Sequence, residues 1–215
     1  MGSRIVSRIV AVLRLGFAVL AAYTLAYAAN RAATAPRGVG MVDFFSYFTI
    51  LSNISATIAL AVGGVALLRG RGGLPDGVRG AVTSYMTVTG IIYAVVLRAD
   101  AQEAGDLARW VDDVVHVVMP LVVFLDWLVV PPRVRQPYSI LRYWLVFPVV
   151  YTVYSLIRGH FADWYPYPFL DPRGRGYGHV ALECCVIAVV IAGVCLLVVW
   201  LGRFLRGKVS SDVMM

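Results

Sequence analysis

Charge is scarce in this chain: only 14% of its 215 residues are Asp, Glu, Lys or Arg, against 60% hydrophobic. A soluble domain of this length is nearer half apolar and a quarter charged. The deficit falls in blocks of about 18–25 residues, the length of helix that crosses a bilayer core. Cysteine is also rare. Cys184, Cys185 and Cys195 share one apolar block, which argues against structural disulfides or structural zinc and for small core residues. The sequence has no internal repeat, no low-complexity tract, no separate soluble domain and no G-x-S-x-G nucleophile motif. The net charge of +7 comes without a basic stripe or a recognition motif, so nucleic acid is not an expected partner. The cations flank apolar blocks instead.

What is present is six apolar blocks: Ile9–Ala29, Phe44–Leu68, Gly80–Leu97, Val111–Val130, Ile140–Ile157 and His179–Gly202. Gly, Pro and charge punctuate the gaps, as in RGRGGLPDGVR and PPRVRQP. They predict an all-α polytopic membrane protein, a single six-helix bundle. With both termini cytoplasmic, twelve Lys and Arg fall inside, among them Arg14, Arg69, Arg79 and Arg133. Seven fall outside, among them Arg37, Arg98 and Arg158. That asymmetry predicts this orientation, in a plasma membrane. Arginines, an apolar run and Ala26-Tyr27-Ala28 also resemble a signal peptide, but the first block is long enough to span and is read as retained.

Ionisable groups inside spans are expensive and tend to be functional. His116, in DDVVHVVMP, lies about five residues into the fourth block, roughly 8 Å below its outer end at 1.5 Å per residue. Asp112 and Asp113 precede it by four and three residues, so either could reach the imidazole. Glu183 and Thr49 lie at a similar depth in the sixth and second blocks, with His179 four residues before Glu183 and Asn53 one turn below Thr49. Tyr93, Tyr151 and Tyr154 could reach the same layer. A polar pocket near the outer surface is therefore expected. Asp126, near the inner end of the fourth block, is expected to pair with an inner arginine such as Arg133 or Arg142. No other inner polar set is expected. Ser46, Ser52, Ser55 and Thr57 read as helix-packing hydroxyls. The outer loop RGHFADWYPYPFLDPRGRGYG carries Trp164, Tyr165, Tyr167 and Phe169. They suit a headgroup belt or a lid over the pocket.

Three chemistries fit these residues. One is nucleophilic hydrolysis: Thr49 as nucleophile, His116 as base, a carboxylate from Asp112, Asp113 or Glu183 orienting it, and Asn53, tyrosine hydroxyls or backbone amides steadying an oxyanion. The substrate would be a lipid ester reached from the bilayer, with no cofactor. Another is a metal site built from the pairs Asp112–His116 and His179–Glu183. The third is a transporter or a membrane interaction protein.

FSYFTILSNI, followed by HVVMPLVVFLDWL and YPYPFLD, resembles the androgen-induced and androgen-dependent integral membrane hydrolases, and resembles their predicted six-span actinobacterial relatives still more. The resemblance runs from the second to the sixth block. It implies a threonine hydrolase acting on fatty-acid esters of hydroxy fatty acids. By motif position it assigns the nucleophile to Thr49 and the second essential residue to His116.

Overall fold

The computed structural model describes residues 2–35, 38–98 and 108–212, with side chains described over 5–35, 38–98 and 108–206. Arg37 lies outside the described residues, as do the side chains of Arg4 and Lys208, all three used in the charge count. The described residues are helical with short connections and no strand. In order these are α1 (Gly2–Thr34), α2 (Met41–Phe44), α3 (Phe48–Leu68), α4 (Asp76–Ile92), α5 (Arg109–Asp113), α6 (Met119–Val129), α7 (Leu141–Trp144), α8 (Val146–Ala162) and α9 (Gly176–Asp212).

Among the described residues, five helices are long and apolar enough to cross a membrane: Ile5–Thr34, Phe48–Leu68, Asp76–Leu97, Tyr138–Ala162 and Gly176–Arg206. Each overlaps one of the expected blocks, with ends displaced by a few residues. The remaining block, 109–129, is a continuous rod of three segments of 5, 5 and 11 residues. It carries Asp112, Asp113 and Asp126, so every 18-residue stretch of it holds more than two charged residues, where each of the other five has a stretch with two or fewer.

Local chemistry explains the ends and irregularities. α3 stops at a Schellman turn: Gly70, at φ 65°, donates to Leu67 O and Arg71 donates to Ala66 O at 2.7 Å. A side chain is strained there, so glycine ends the helix. The rods are not unbroken, as the sequence suggests. π-turns occupy Tyr93–Leu97 and Val114–Val118. The second follows from Pro120, which has no N–H and whose ring crowds the carbonyl four residues back, that of His116. The helix widens before it, and Met119 N–H reaches back five residues to Val114 O. Pro148 acts similarly in the fifth rod. It leaves Trp144 O free, and that carbonyl accepts from Tyr85 Oη at 2.9 Å.

α1 packs along α3 through small residues. Ala11, Ala18, Ala21, Ala28 and Ala32 are buried on one face of α1. A Cβ at Gly64 would come within 2.8 Å of Leu15. Small surfaces let apolar helices approach closely when water offers no drive to bring them together. One core joins α1, α3, α4 and α6 around Ala18, Leu60, Met86 and Val123. A second joins α4, α6, α7 and α9 around Trp127, Trp144 and Val198. Trp127 is fully buried and donates to Val198 O at 3.1 Å.

At the inner end, Arg14 binds Asp126 with two hydrogen bonds, 2.6 and 3.0 Å, and Arg79 adds a third at 3.2 Å. The expected partners, Arg133 and Arg142, are engaged elsewhere. Arg133 N–H donates to Asp76 at 2.6 Å, and Arg142 lies over the Tyr143 ring. Pro131 and Pro132 turn the chain away after α6, and this carries Arg133 toward α4. The inner half thus holds a polar set, Arg14, Asp126, Arg79 and Asp76, that the block pattern does not anticipate.

Candidate active site

Thr49 is the second residue of α3, not the sixth of a helix starting at Phe44. The turn at Phe45–Ser46 separates α2 from α3. Its Oγ1 lies 3.2 Å from His116 Nε2. Thr49 is 7% exposed, and the histidine comes from the π-turn of the 109–129 rod. His116 Nδ1 is 2.8 Å from Asp112 Oδ1 and 3.2 Å from Asp112 O. With Nδ1–H donating to the carboxylate, Nε2 carries the lone pair and faces the threonine hydroxyl. Asp112 Oδ2 accepts from Tyr93 Oη, and the Tyr93 ring stacks on the imidazole, centroids 4.2 Å apart and planes 9° off parallel.

The wide turn decides between the two candidate carboxylates. A π-turn needs more residues per turn than an α-turn, which brings the residue four back, not three back, beneath the imidazole. Asp113 is exposed instead, a correction to its place among the orienting groups.

Asn53 also differs from expectation. Its amide donates to Thr49 O at 2.9 Å and to Val115 O at 3.0 Å. Val115 O is a carbonyl freed by the π-turn, since the residue five ahead is Pro120. Both protons of the side chain are thus committed, and Asn53 ties the threonine to the turn that carries the histidine. No proton remains for an oxyanion.

Glu183 is not brought to the site. It lies 3.3 Å from His179 on the same helix, α9, and His179 also contacts Arg175, just before that helix, at 3.1 Å. Equal depth on different helices does not fix direction around the bundle, and α9 turns this pair away from His116. The pairs Asp112–His116 and His179–Glu183 therefore do not form one four-ligand set. Among the described residues no group of three or more His, Cys, Asp or Glu is placed to hold a metal ion.

The outer loop supplies residues the block pattern does not single out. Tyr167 is 8% exposed, with its Oη 3.4 Å from both Thr49 Oγ1 and Thr49 N. Tyr151 Oη donates to Ser46 O at 3.0 Å and accepts from Phe48 N–H at 3.2 Å. Two free amides at the start of α3 thus meet phenol oxygens, since Tyr47 supplies no side-chain cap. The loop is pinned over the site. Tyr165 fills the space beside Gly159, Trp164 packs on Tyr47 and under Arg158, and Arg173 binds both Asp163 and Asp171. The Arg173 guanidinium holds the Asp171 carboxyl below its ordinary value. In the sequence Tyr167 stands out only as one of four loop aromatics, a belt or a lid, and by its place in YPYPFLD.

Beside Thr49 lies a cavity of about 310 Å³, apolar apart from a few hydroxyls and thiols and lined by Phe48, Ile92, Leu145, Tyr167, Leu170 and Ile187 among others. Val149, Val153, Cys185 and Ala188 also line it and are exposed, so it opens sideways between α8 and α9. The chain matches no family model, no curated protein and no solved structure.

Proposed function

We propose that this chain is a membrane-embedded lipid-ester hydrolase, with Thr49 as nucleophile, His116 as general base and Asp112 holding the imidazole. The observation that carries this reading is the linked contact Thr49 Oγ1–His116 Nε2–Asp112, at 3.2 and 2.8 Å. A threonine hydroxyl is weak until a base takes its proton, and that base must lie within hydrogen-bond reach. The apolar cavity beside the hydroxyl suits an acyl chain, and its side opening suits delivery from a bilayer. The resemblance of FSYFTILSNI and HVVMP to the integral membrane threonine hydrolases supports the same assignment. In this reading the 109–129 rod is a sixth span, with Asp112 and Asp126 turned to partners in the bundle, and both termini face the cytoplasm of a plasma membrane, as the arginine count favours.

In the first half-reaction the Thr49 oxygen bonds to the ester carbonyl carbon while its proton passes to His116 Nε2. The tetrahedral adduct then expels the alcohol, which takes that proton from His116. In the second, water gives a proton to His116 and attacks the threonyl ester. Thr49 recovers its proton, and the fatty acid leaves. Asp112 keeps Nδ1 protonated and stabilises the imidazolium formed at each attack.

A fluorophosphonate probe applied to membranes holding the full chain tests this. Labelling of the wild type, lost in Thr49→Ala and His116→Ala, is the expected result. Lipid-ester turnover that persists unchanged in both variants would sink the proposal.

A further inference from the structure

The hydrolase reading leaves the carbonyl oxygen without a stabilising partner once Asn53 is accounted for, because that amide is committed to two backbone carbonyls. Negative charge grows on this oxygen during attack, and donors aimed at it are worth about 10²–10³ in rate. Two donors border the space in front of Thr49 Oγ1. One is the N–H of Thr49, an amide in the first turn of α3 that no helical carbonyl receives. The other is the phenol of Tyr167, 3.4 Å from that nitrogen and 3.4 Å from Oγ1. Both contacts exceed the usual 2.9–3.0 Å of a hydrogen bond to oxygen. Tyr167 also borders the apolar cavity, where a carbonyl presented to Thr49 would enter.

We propose that Tyr167 is a catalytic residue: its O–H, together with the N–H of Thr49, forms the oxyanion hole of the hydrolase. This rests on the Thr49–His116 reading. When Thr49 oxygen bonds to the acyl carbon, the C=O π pair moves onto the carbonyl oxygen, which receives hydrogen bonds from Tyr167 and from the Thr49 amide. When the adduct collapses, that pair returns and the C–O bond to the alcohol breaks. The phenol oxygen lies 3.4 Å from the Thr49 amide nitrogen, so the two donors border one space beside Oγ1. Burial pushes the Tyr167 phenol up from its ordinary value, so the proton to be donated stays on the oxygen at neutral pH. The ring is held independently of the hydroxyl. It stacks on Phe169 with centroids 5.0 Å apart and meets the edge of Tyr47 at 5.8 Å.

That independence makes Tyr167→Phe informative. The full chain is reconstituted in liposomes and assayed with a fatty-acid ester, a trifluoromethyl ketone that forms an adduct with the nucleophile, and the matching alcohol, which carries no carbonyl. The expected result is a kcat lower by on the order of 10²-fold with KM within about twofold. Ketone affinity falls by a comparable factor and alcohol affinity holds. A kcat within about threefold of wild type overturns the proposal, as does equal weakening of ketone and alcohol, which marks a merely structural role. Failure of the underlying reading is distinct: the wild type then turns over no ester, or Thr49→Ala matches it.

Discussion

The bundle holds two buried acid clusters at opposite ends of α3, and they differ in what faces the carboxylate. At the inner end Asp126 meets two guanidiniums, Arg14 and Arg79, and Asp76 lies beside Arg79 and Arg133. At the outer end, roughly 20 Å away along the helix at 1.5 Å per residue, Asp112 meets an imidazole and a phenol. Fixed charges facing fixed charges cancel, and the cluster locks three helices. A carboxylate facing groups that can gain or lose a proton leaves one of them, His116, free for the shuttling role that the proposed mechanism gives it. A guanidinium at the outer site would hold Asp112 as tightly and leave the imidazole without its counter-ion.

The largest expected effect on this contrast comes from Asp112→Asn. It removes the outer charge, allows the wrong imidazole tautomer, and should lower kcat by about 10³–10⁴ with the unfolding transition nearly unmoved. Equal losses of activity and stability would erase the distinction between the two ends. Asp126→Asn is the mirror experiment. Arg14 loses its counter-charge and Arg79 keeps only Asp76, and removing one partner of a buried pair costs about 3–5 kcal/mol. Denaturant unfolding in micelles should show this, while turnover per folded molecule stays within a few-fold. A variant that unfolds normally but is inactive would place the inner cluster in the chemistry. The smallest effect belongs to the loop latch. Arg173→Gln removes the exposed, solvent-screened ion pairs to Asp163 and Asp171, and accelerated proteolysis within 163–175 is its readout. Because Asp171 has a lowered folded value, the latch holds above the ordinary carboxylate range and weakens as pH falls through the folded one. Cleavage of the wild-type loop should therefore quicken at acid pH, and Arg173→Gln should flatten that dependence.

How much of this is visible in the sequence depends on how local the determinant is. Helix type and approximate span follow from apolar block length. The meeting of Thr49 and His116 follows from shared depth, and one acid partner from its four-residue spacing. Depth alone could not place Glu183, because a layer is a ring and helix rotation decides which way it faces. The partner of Asp126 lies 112 residues away on α1, beyond any spacing rule, so arginines nearer in sequence look more plausible than they are. Asn53 reads as a free amide until the π-turn is known, and that turn depends on Pro120, five residues beyond the carbonyl it frees. Tyr167 lies on a loop, where no periodicity points to the residue it covers.

The gap between α8 and α9 has a kinetic consequence. A mouth rimmed by Val149 and Val153, 59% and 52% exposed, meets the surrounding amphiphile and not bulk water. On the proposed hydrolase reading, the rate then follows the mole fraction of ester among the protein's neighbours. Adding inert detergent at constant total ester should slow it, as dilution in two dimensions. The released fatty acid enters that same surface, where it competes with the next ester.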